Sequence, residues 1–377
     1  MSRSQDAPAG AATYFDKVLI DARVLQGAGA GRGEGRYARG LLGGLLESGF
    51  RERSVLLLDA GLPAPKLPDA GWPTVAIRRR YHGRAASYED AAMLGRDLSE
   101  IRPAAYHALR LSLPGSAPCP VVVTVHDLIP WALGGQRLLG ERVRHFPARR
   151  LLSRADRVIA VSEATAADAR RIGGVAADRI RVIGEGVEPA FRQSPGAADR
   201  VAARWGLTRP FLLFVGALDA RKSPGDLVTA LLTARASGVD CDLVVAGDPG
   251  PQAPSSLGAA RLLGRVSDDE LVDLLSAAGC LLFPSRYEGF GLPVLEAMAC
   301  GCPALMYANS SLPEVAGQAG IIVPNGDARE MGRQAARLLS EPEVRRLAAA
   351  AGIAQAARFT WPDVARQVIS VYAGLLR

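Results

Sequence analysis

The sequence predicts two Rossmann-like α/β domains, on three observations. The chain has 377 residues, more than a single hydrophobic core ordinarily supports. Apolar, β-branched runs of strand length alternate with amphipathic stretches, the pattern of parallel sheets covered on both faces. A polar segment carrying Pro189, Pro195 and Gly196 interrupts that alternation between Glu188 and Pro210, which marks a linker. Two such domains face each other across a cleft, where ligands would be held.

The first half contains six predicted strands: KVLIDARV (17–24), SVLLLDA (54–60), TVAIR (74–78), AAYHAL (104–109), PVVVTVHD (120–127) and DRVIAVS (156–162). The second half contains FLLFVGA (211–217), DLVVAGD (242–248), ARLLGRV (260–266), GCLLFPS (279–285), CPALMYA (302–308) and GIIVPN (320–325). A short amphipathic helix is expected just ahead of FLLFVGA. At the end of the chain, Val364, Val368, Val371, Leu375 and Leu376 recur at helical spacing and predict a closing amphipathic helix.

Composition excludes several classes. Hydrophobic residues make up 49% and charged residues 22%, close to globular usage and far from a disordered chain. The longest apolar run, Pro120 to Trp131, is broken by His126 and Asp127 and falls short of the roughly 18 residues of a membrane span. Met1 to Ala12 lacks the apolar core of a secretory signal, so it reads as a loose tail and the chain as cytoplasmic. Five scattered cysteines (Cys119, Cys241, Cys280, Cys300, Cys302) suit reduced core thiols better than a disulfide framework, and their spacing fits no zinc site. The net charge is +7, with Lys17, Lys66 and Lys222 the only lysines and all other basic residues arginine. So diffuse an excess suits anionic ligands or an anionic membrane surface and does not argue for nucleic acid.

In open α/β sheets ligands bind beyond the carboxyl ends of the strands, so the loops there hold the candidate chemistry. After the first strand, Gly27, Gly29, Gly31, Gly33 and Gly35 precede a helix expected near Arg36. Such a turn lets backbone amides approach a phosphate or sugar; the other reading is a loop that only tightens a strand–helix junction. His126 and Asp127 follow a buried strand, either facing a sugar hydroxyl or bonding locally to hold the turn. Gly216 ends the FLLFVGA strand, and Arg221 and Lys222 stand just before a helix that Pro224 helps to start. Two adjacent cations there suit a diphosphate and the charge on a departing nucleotide; a solvated surface pair is the alternative.

The densest pattern is LLFPSRYEGFGLPVLEAMACGCP, with Glu288 in a loop, Gly289 and Gly291 beside it, and Glu296 in the opening turns of a helix that starts near Leu292 or Pro293. The two acids bracket the helix N-terminus. That suits a nucleoside diphosphate sugar: phosphates on the helix amides, ribose hydroxyls on one carboxylate and hexose hydroxyls on the other.

SRYEGFGLPVLEAMACGCP resembles the two-glutamate signature of family 4 retaining glycosyltransferases of the GT-B fold. GRGEGRYARGLL resembles their first glycine loop, and VTVHDLIP, VIAVSEAT, VIGEGVEPAF, VGALDARKSP, LVVAGDPG, GRVSDDEL and FTWPDVARQVISVY resemble the remaining blocks in order. The resemblance implies an N-terminal acceptor domain (1–195), a C-terminal donor domain (208–358) and a crossover helix (359–377) packing back toward the first domain. It implies that Lys222 and Arg221 meet the diphosphate, Glu296 the ribose, and Arg265 and Val266 the base. Glu288 with the backbone of Gly289, Phe290, Gly291 and Leu292 would hold the sugar and its phosphate. His126 would face the donor sugar, and Gly33, Gly35 and Gly216 would let backbone approach the donor. Three departures stand out: Ala217 where many members carry arginine after the strand glycine, Glu34 in place of an apolar residue, and Glu185 in place of asparagine.

The expected activity is retaining transfer of a hexose, with a weak lean to mannose from GDP-mannose, to a hydroxyl on a glycan, lipid-linked glycan or natural product. The family mechanism has the acceptor attack the face from which the nucleotide leaves, without a cofactor or metal. The alternatives are a nucleotide-sugar epimerase of the same fold and a non-catalytic glycan-binding subunit. The arginine-rich segment from Gln136 to Arg157, interleaved with Leu138, Leu139, Val143, Phe146, Leu151 and Leu152, is expected either to touch an anionic membrane at the inner face or to be a helix with solvated arginines.

Overall fold

The computed structural model describes residues 14, 16–27, 30–31, 33–81, 85–135, 138–248, 258 and 260–376. The tail Met1 to Ala12, Gly29 of the glycine run, and Gln136 and Arg137 of the basic segment lie outside them. The chain forms two compact units. One comprises residues 1–161, 165–184 and 361–377; the other comprises residues 162–164 and 185–360. The division therefore comes at Gly184/Glu185, ahead of the Pro- and Gly-containing stretch, because the helix that follows that stretch packs within the second unit.

In the first unit seven parallel strands run β1 (Val18–Asp21), β2 (Ser54–Asp59), β3 (Thr74–Ile77), β4 (Ala105–Ala108), β5 (Val121–Val125), β6 (Arg157–Ala160) and β7 (Ile180–Val182), in the spatial order 3-2-1-4-5-6-7. The short β7 is not signalled by an apolar run: its residues are Ile, Arg and Val, and it exists by pairing with β6. The helices are α1 (Gly33–Glu47), α2 (Ala86–Ile101), α3 (Ile129–Ala132), α4 (Leu139–Leu151) and α5 (Glu163–Arg171). The arginine-rich segment is not one helix. Pro147 lies inside α4, a 3-10 turn follows at Leu152–Arg154, and Arg157 already belongs to β6.

The second unit has six parallel strands: β8 (Phe211–Val215), β9 (Asp242–Ala246), β10 (Ala260–Gly264), β11 (Cys280–Phe283), β12 (Ala304–Tyr307) and β13 (Ile321–Val323), in the order 10-9-8-11-12-13. Its helices are α6 (Ala197–Trp205), α7 (Pro224–Ala236), α8 (Asp268–Ala277), α9 (Leu292–Ala299), α10 (Leu312–Ala316), α11 (Ala328–Ser340) and α12 (Pro342–Ala356). Strands β8, β9, β11 and β12 are almost wholly buried, as helices on both faces require. Cys241, Cys280, Cys300 and Cys302 are buried free thiols, and burial pushes the Cys300 thiol up to about 12. Both sheets reverse their winding once, between β1 and β4 and between β8 and β11. At such a reversal the neighbouring loops diverge and leave a crevice at the carboxyl ends of the strands.

The closing helix α13 (Trp361–Leu375) belongs to the first unit and packs along α1. Trp361, Val364, Val368 and Val371 are buried as their spacing predicts, but Leu376 lies beyond the helix end and is exposed. The contact depends on glycine. A Cβ on Gly40 would sit 1.9 Å from the Trp361 ring, and one on Gly44 would sit 2.4 Å from the Trp361 carbonyl oxygen. Tyr372 on the same helix hydrogen-bonds the buried His107 (2.6 Å), which also bonds Thr124 (2.9 Å), and Thr124 pairs with Tyr37 (3.3 Å).

Two predictions follow from this packing. Glycine in a helix interior ordinarily costs about 1 kcal/mol relative to alanine, so an unhindered Gly44→Ala would stabilise. Overpacking against Trp361 reverses the sign, and Gly44→Ala should lose about 1–3 kcal/mol in urea unfolding; a more stable variant would contradict the contact. The second concerns acid. Burial lowers the His107 pKa from 6.5 to about 3. Between those values the unfolded chain takes up a proton that the folded protein refuses, so stability falls as pH falls through that window. At pH 5 this amounts to about 2 kcal/mol, and unfolding curves at pH 7 and pH 5 should show His107→Gln losing less than wild type by that amount.

Candidate active site

The second sheet's winding reverses between β8 and β11, and the loops after these two strands bring Arg221, Lys222 and Glu288 together. The turn after β8 is set by Asp219, whose Oδ1 accepts hydrogen bonds from the backbone N–H groups of Arg221 (2.9 Å) and Lys222 (3.2 Å). Ser223 then takes a left-handed φ of 47° and Pro224 opens α7. Two cations adjacent in sequence are thereby turned toward the same carboxylate.

Lys222 is only 7% exposed. Its ammonium lies 4.3 Å from the centre of the Phe283 ring, the last residue of β11, a favourable cation–π position. It donates a short hydrogen bond to Oε1 of Glu288. Arg221 Nη1 lies 2.7 Å from the same oxygen and donates to the Tyr287 carbonyl at 2.6 Å. Ser285 also donates to Oε1. Burial acts to raise the Glu288 pKa, but Lys222 and Arg221 with these hydrogen bonds outweigh it and hold the carboxyl below its ordinary value. Burial, reinforced by Arg221, lowers the Lys222 pKa, with Glu288 opposing.

The Glu288 loop is tied down by two serines. Ser310 Oγ accepts from the Glu288 N–H at 2.9 Å, and Ser311 Oγ donates to the carbonyls of Phe290 (2.6 Å) and Glu288 (3.1 Å). Gly291 has φ 115° and precedes α9, which starts at Leu292 with Pro293 in its first turn. The helix start matches the sequence expectation, and Gly289 to Leu292 lie at its N-terminus. Glu296 is buried within α9, at 3% exposure. Gly216 at the end of β8 has φ 133°, and a Cβ on Gly247, at the end of β9, would come 2.2 Å from its carbonyl oxygen. Glycine at both positions lets the two strand ends lie backbone to backbone. Arg265 and Val266 follow β10, two strands from β8 on the same edge, and Arg265 pairs with Asp248 at 2.7 Å while remaining exposed.

The other predicted residues lie in the first unit. His126 Nε2 donates to the Leu109 carbonyl (3.1 Å), and its ring meets the Tyr37 ring edge-on at 4.7 Å. Asp127 accepts from the Ile129 N–H at 3.0 Å and so holds the start of α3. Gly33 and Gly35 are not in a loop: α1 begins at Gly33, three residues before the expected start. A Cβ on Gly35 would meet the Ala30 carbonyl at 2.2 Å, so glycine lets the preceding turn fold onto the helix.

Sequence reasoning missed Asp219, Phe283, Ser285, Ser310 and Ser311. Asp219 carried a readable signal, an aspartate two and three residues before the backbone N–H groups it caps. The serines carried none, because their partners are carbonyls or N–H groups brought close only by folding. Also missed was a buried ion cluster beyond β1, in which Arg23 donates to Asp21 (2.6 and 2.8 Å) and Asp90 (2.8 and 3.1 Å). Arg79 donates to Asp90 (2.8 Å) and Asp97 (2.7 Å), and Tyr106 to Asp21 (2.8 Å).

With only three lysines in the chain, the Lys222 pairing can be followed by NMR after ¹³C reductive methylation. Removing the Glu288 charge removes the interaction that supports the ammonium, so Glu288→Gln should move the Lys222 titration to lower pH. An unchanged or higher Lys222 midpoint would show that the pair is not formed in solution.

Known proteins resemble both halves. Residues 31–191 match the model of Glycosyltransferase Family 4, and residues 197–355 match that of Glycosyl transferases group 1. The serotype-specific mannosyltransferase WbdA of Escherichia coli is 27% identical over 96% of this chain and 48% of its own length. The O-antigen chain mannosyltransferase B of Escherichia coli is 30% identical over 59% of this chain and 61% of its own. The chain thus spans about half to three fifths of these curated relatives. Among solved structures, sucrose-phosphate synthase from Thermosynechococcus elongatus superposes with a TM-score of 0.75 at 22% identity, covering 96% of this chain and 99% of that one. Anabaena HepE in complex with UDP and glucose gives 0.73 at 20%, covering 95% and 100%. With two Rossmann-like sheets, a two-glutamate loop and helix beyond β11, and family matches along both halves, this chain belongs to the family 4 glycosyltransferases of the GT-B fold.

Proposed function

We propose that this chain is a retaining, metal-independent hexosyltransferase that moves mannose from a nucleoside diphosphate sugar, GDP-mannose by preference, to a hydroxyl of a glycan or lipid-linked glycan. One observation carries the reading: Arg221, Lys222 and Glu288 converge beyond β8 and β11, beside the N-terminus of α9. The two cations and the helix amides supply fixed positive charge for a departing diphosphate, where another enzyme would use a metal ion. Glu288 sits against those cations and accepts hydroxyl hydrogen bonds from the hexose. Glu296, one turn into α9, takes the ribose, and Arg265 and Val266 lie toward the base. The mannosyltransferase names of the two bacterial relatives support the sugar, and the nucleotide and glucose named with HepE support a nucleotide-sugar donor.

Among the described residues no helix is long and apolar enough to cross a membrane. The exposed face of α4, with Leu139, Val143 and Phe146 beside Arg144 and Arg150, supports peripheral contact with an anionic membrane.

Calorimetric titration beside a transfer assay tests the donor assignment. Glu296→Ala should weaken binding of both free nucleoside diphosphate and donor by about 1.5–3 kcal/mol, as loss of charged hydrogen bonds does. Glu288→Ala leaves two cations available to phosphate, so nucleotide affinity should hold while transfer falls steeply. Equal loss of nucleotide affinity in both would overturn the division of roles. Lys222→Ala should cut turnover by about 10² to 10³, and activity should survive EDTA. Product analysis without acceptor separates a transferase from an epimerase.

A further inference from the structure

Among the described residues, three other than glycine take a positive φ: Arg102, Ser223 and Ser310. Arg102 closes α2 as its C-cap, an ordinary place for left-handed backbone. The two serines stand in the second unit beside the charged site, Ser223 directly after Lys222 and Ser310 in the turn after β12. Left-handed backbone crowds a Cβ, and Ser223 carries a second burden. The residue before a proline is driven toward extended backbone, yet Ser223 precedes Pro224 at φ 47° and ψ 60°. Residues so strained persist where their surroundings enforce the conformation.

For both serines the enforcing contact comes from the loop after β11. Ser310 accepts from the Glu288 N–H, as described above. Ser223 is buried, and its own segment gives it only ordinary turn bonds: its N–H donates to the Ala220 carbonyl at 3.3 Å, and its carbonyl accepts from the Asp226 N–H at 2.9 Å. Its hydroxyl makes no cap bond to α7 and accepts instead from Nε of Arg286 at 3.0 Å. Arg286 lies in the β11 loop, two residues before Glu288, and its backbone N–H donates to the Arg221 carbonyl at 2.9 Å. One residue of the Glu288 loop thus grips the neighbours of Lys222 on both sides, Arg221 through its main chain and Ser223 through its side chain.

We propose that Arg286 is a positioning residue for Lys222: its bond to Ser223 keeps the strained turn that carries the ammonium over the Phe283 ring and against Glu288. The inference rests on the transferase reading above, in which Lys222 stabilises the departing diphosphate. In this role Arg286 touches neither donor nor acceptor and fixes where the Lys222 charge stands. Its effect passes through the backbone of Ser223. Glycine at that position takes a left-handed φ without a Cβ to crowd, so it makes the Arg286 bond unnecessary.

The test uses the full-length protein labelled with ¹³C-lysine. Lys17, Lys66 and Lys222 are the only lysines, and Lys222→Arg identifies the Lys222 Hε–Cε signal by its loss. In the wild type the Phe283 ring current should displace that signal upfield of the other two. Arg286→Ala and Ser223→Ala should each move it back toward them, whereas Ser223→Gly should keep the displacement and Arg286→Ala/Ser223→Gly should restore it. Hydrolysis of GDP-mannose, and in parallel of UDP-glucose, is the second readout. Arg286→Ala should lower kcat about tenfold or more with the donor KM within about threefold, as misplacement of a catalytic group does, and adding Ser223→Gly should recover most of the loss. An undisplaced wild-type signal, or a displacement unchanged in Arg286→Ala, would overturn the proposal. Lack of recovery on adding Ser223→Gly would show that Arg286 acts by its charge and would overturn it too. If Arg286→Ala does not fold, the comparison of Ser223→Ala with Ser223→Gly decides, and equal signals in those two overturn the proposal. Failure of the transferase reading looks different: the wild type would neither bind GDP or UDP nor hydrolyse either donor, while the Lys222 signal would still follow Arg286 and Ser223 in this pattern.

Discussion

The shared oxygen of Glu288 is the constraint on which the second unit's site depends. Lys222 is buried against the aromatic ring of Phe283, at the end of β11. An ammonium taken from water without a counter-charge costs several kcal/mol or gives up its proton. Glu288 prevents that outcome, and Arg221 and Ser285 converge on the same oxygen so that the carboxylate itself is satisfied. Every surrounding feature serves this meeting. Asp219 sets the turn that delivers both cations, Ser310 and Ser311 fix the backbone that delivers the acid, and Gly216 and Gly247 let the strand ends approach closely enough for the crevice to form.

The proposed function gives this arrangement a physical use: one site can hold a charged donor and still favour its departure. The cations are partly neutralised by Glu288; under the proposed function they and the α9 amides would meet the growing negative charge of a leaving diphosphate without having to reorganise. The first unit applies the opposite logic beyond β1, where Asp21, Arg23, Asp90 and Arg79 neutralise one another and leave nothing for a ligand. Such a closed network serves to pin β1, α2 and the segment after β3.

The closing helix shows a further division of labour. Its apolar face is ordinary, yet its seat on α1 exists because Gly40 and Gly44 remove the side chains that Trp361 would strike. Tyr372 then reaches the buried His107, whose hydrogen bonds run on through Thr124 to Tyr37, the ring that meets His126. Packing at the end of the chain is thus coupled by direct contacts to a residue at the end of β5.

The sequence by itself determined twelve of the strands: those buried on both faces must be apolar throughout and so announce themselves in a single run, and the partly exposed edge strands β3, β10 and β13 still carry short aliphatic runs. It also determined the start of α9 at Leu292 and the closing helix, since Pro and Gly at helix ends obey local rules, and it placed Arg221 and Lys222 ahead of α7 and Glu288 ahead of α9. Only the tertiary structure decided that β7 is a strand, since its Ile-Arg-Val becomes one by pairing with β6. It alone decided that α1 starts at Gly33 and that the basic segment breaks at Arg154. The pairing of Glu288 with both cations, the serine ties and the Arg23 cluster were likewise invisible, for they join residues up to 85 positions apart. Local pattern records what a segment must do to be buried; which charge meets which is fixed when the chain brings distant segments within hydrogen-bond reach.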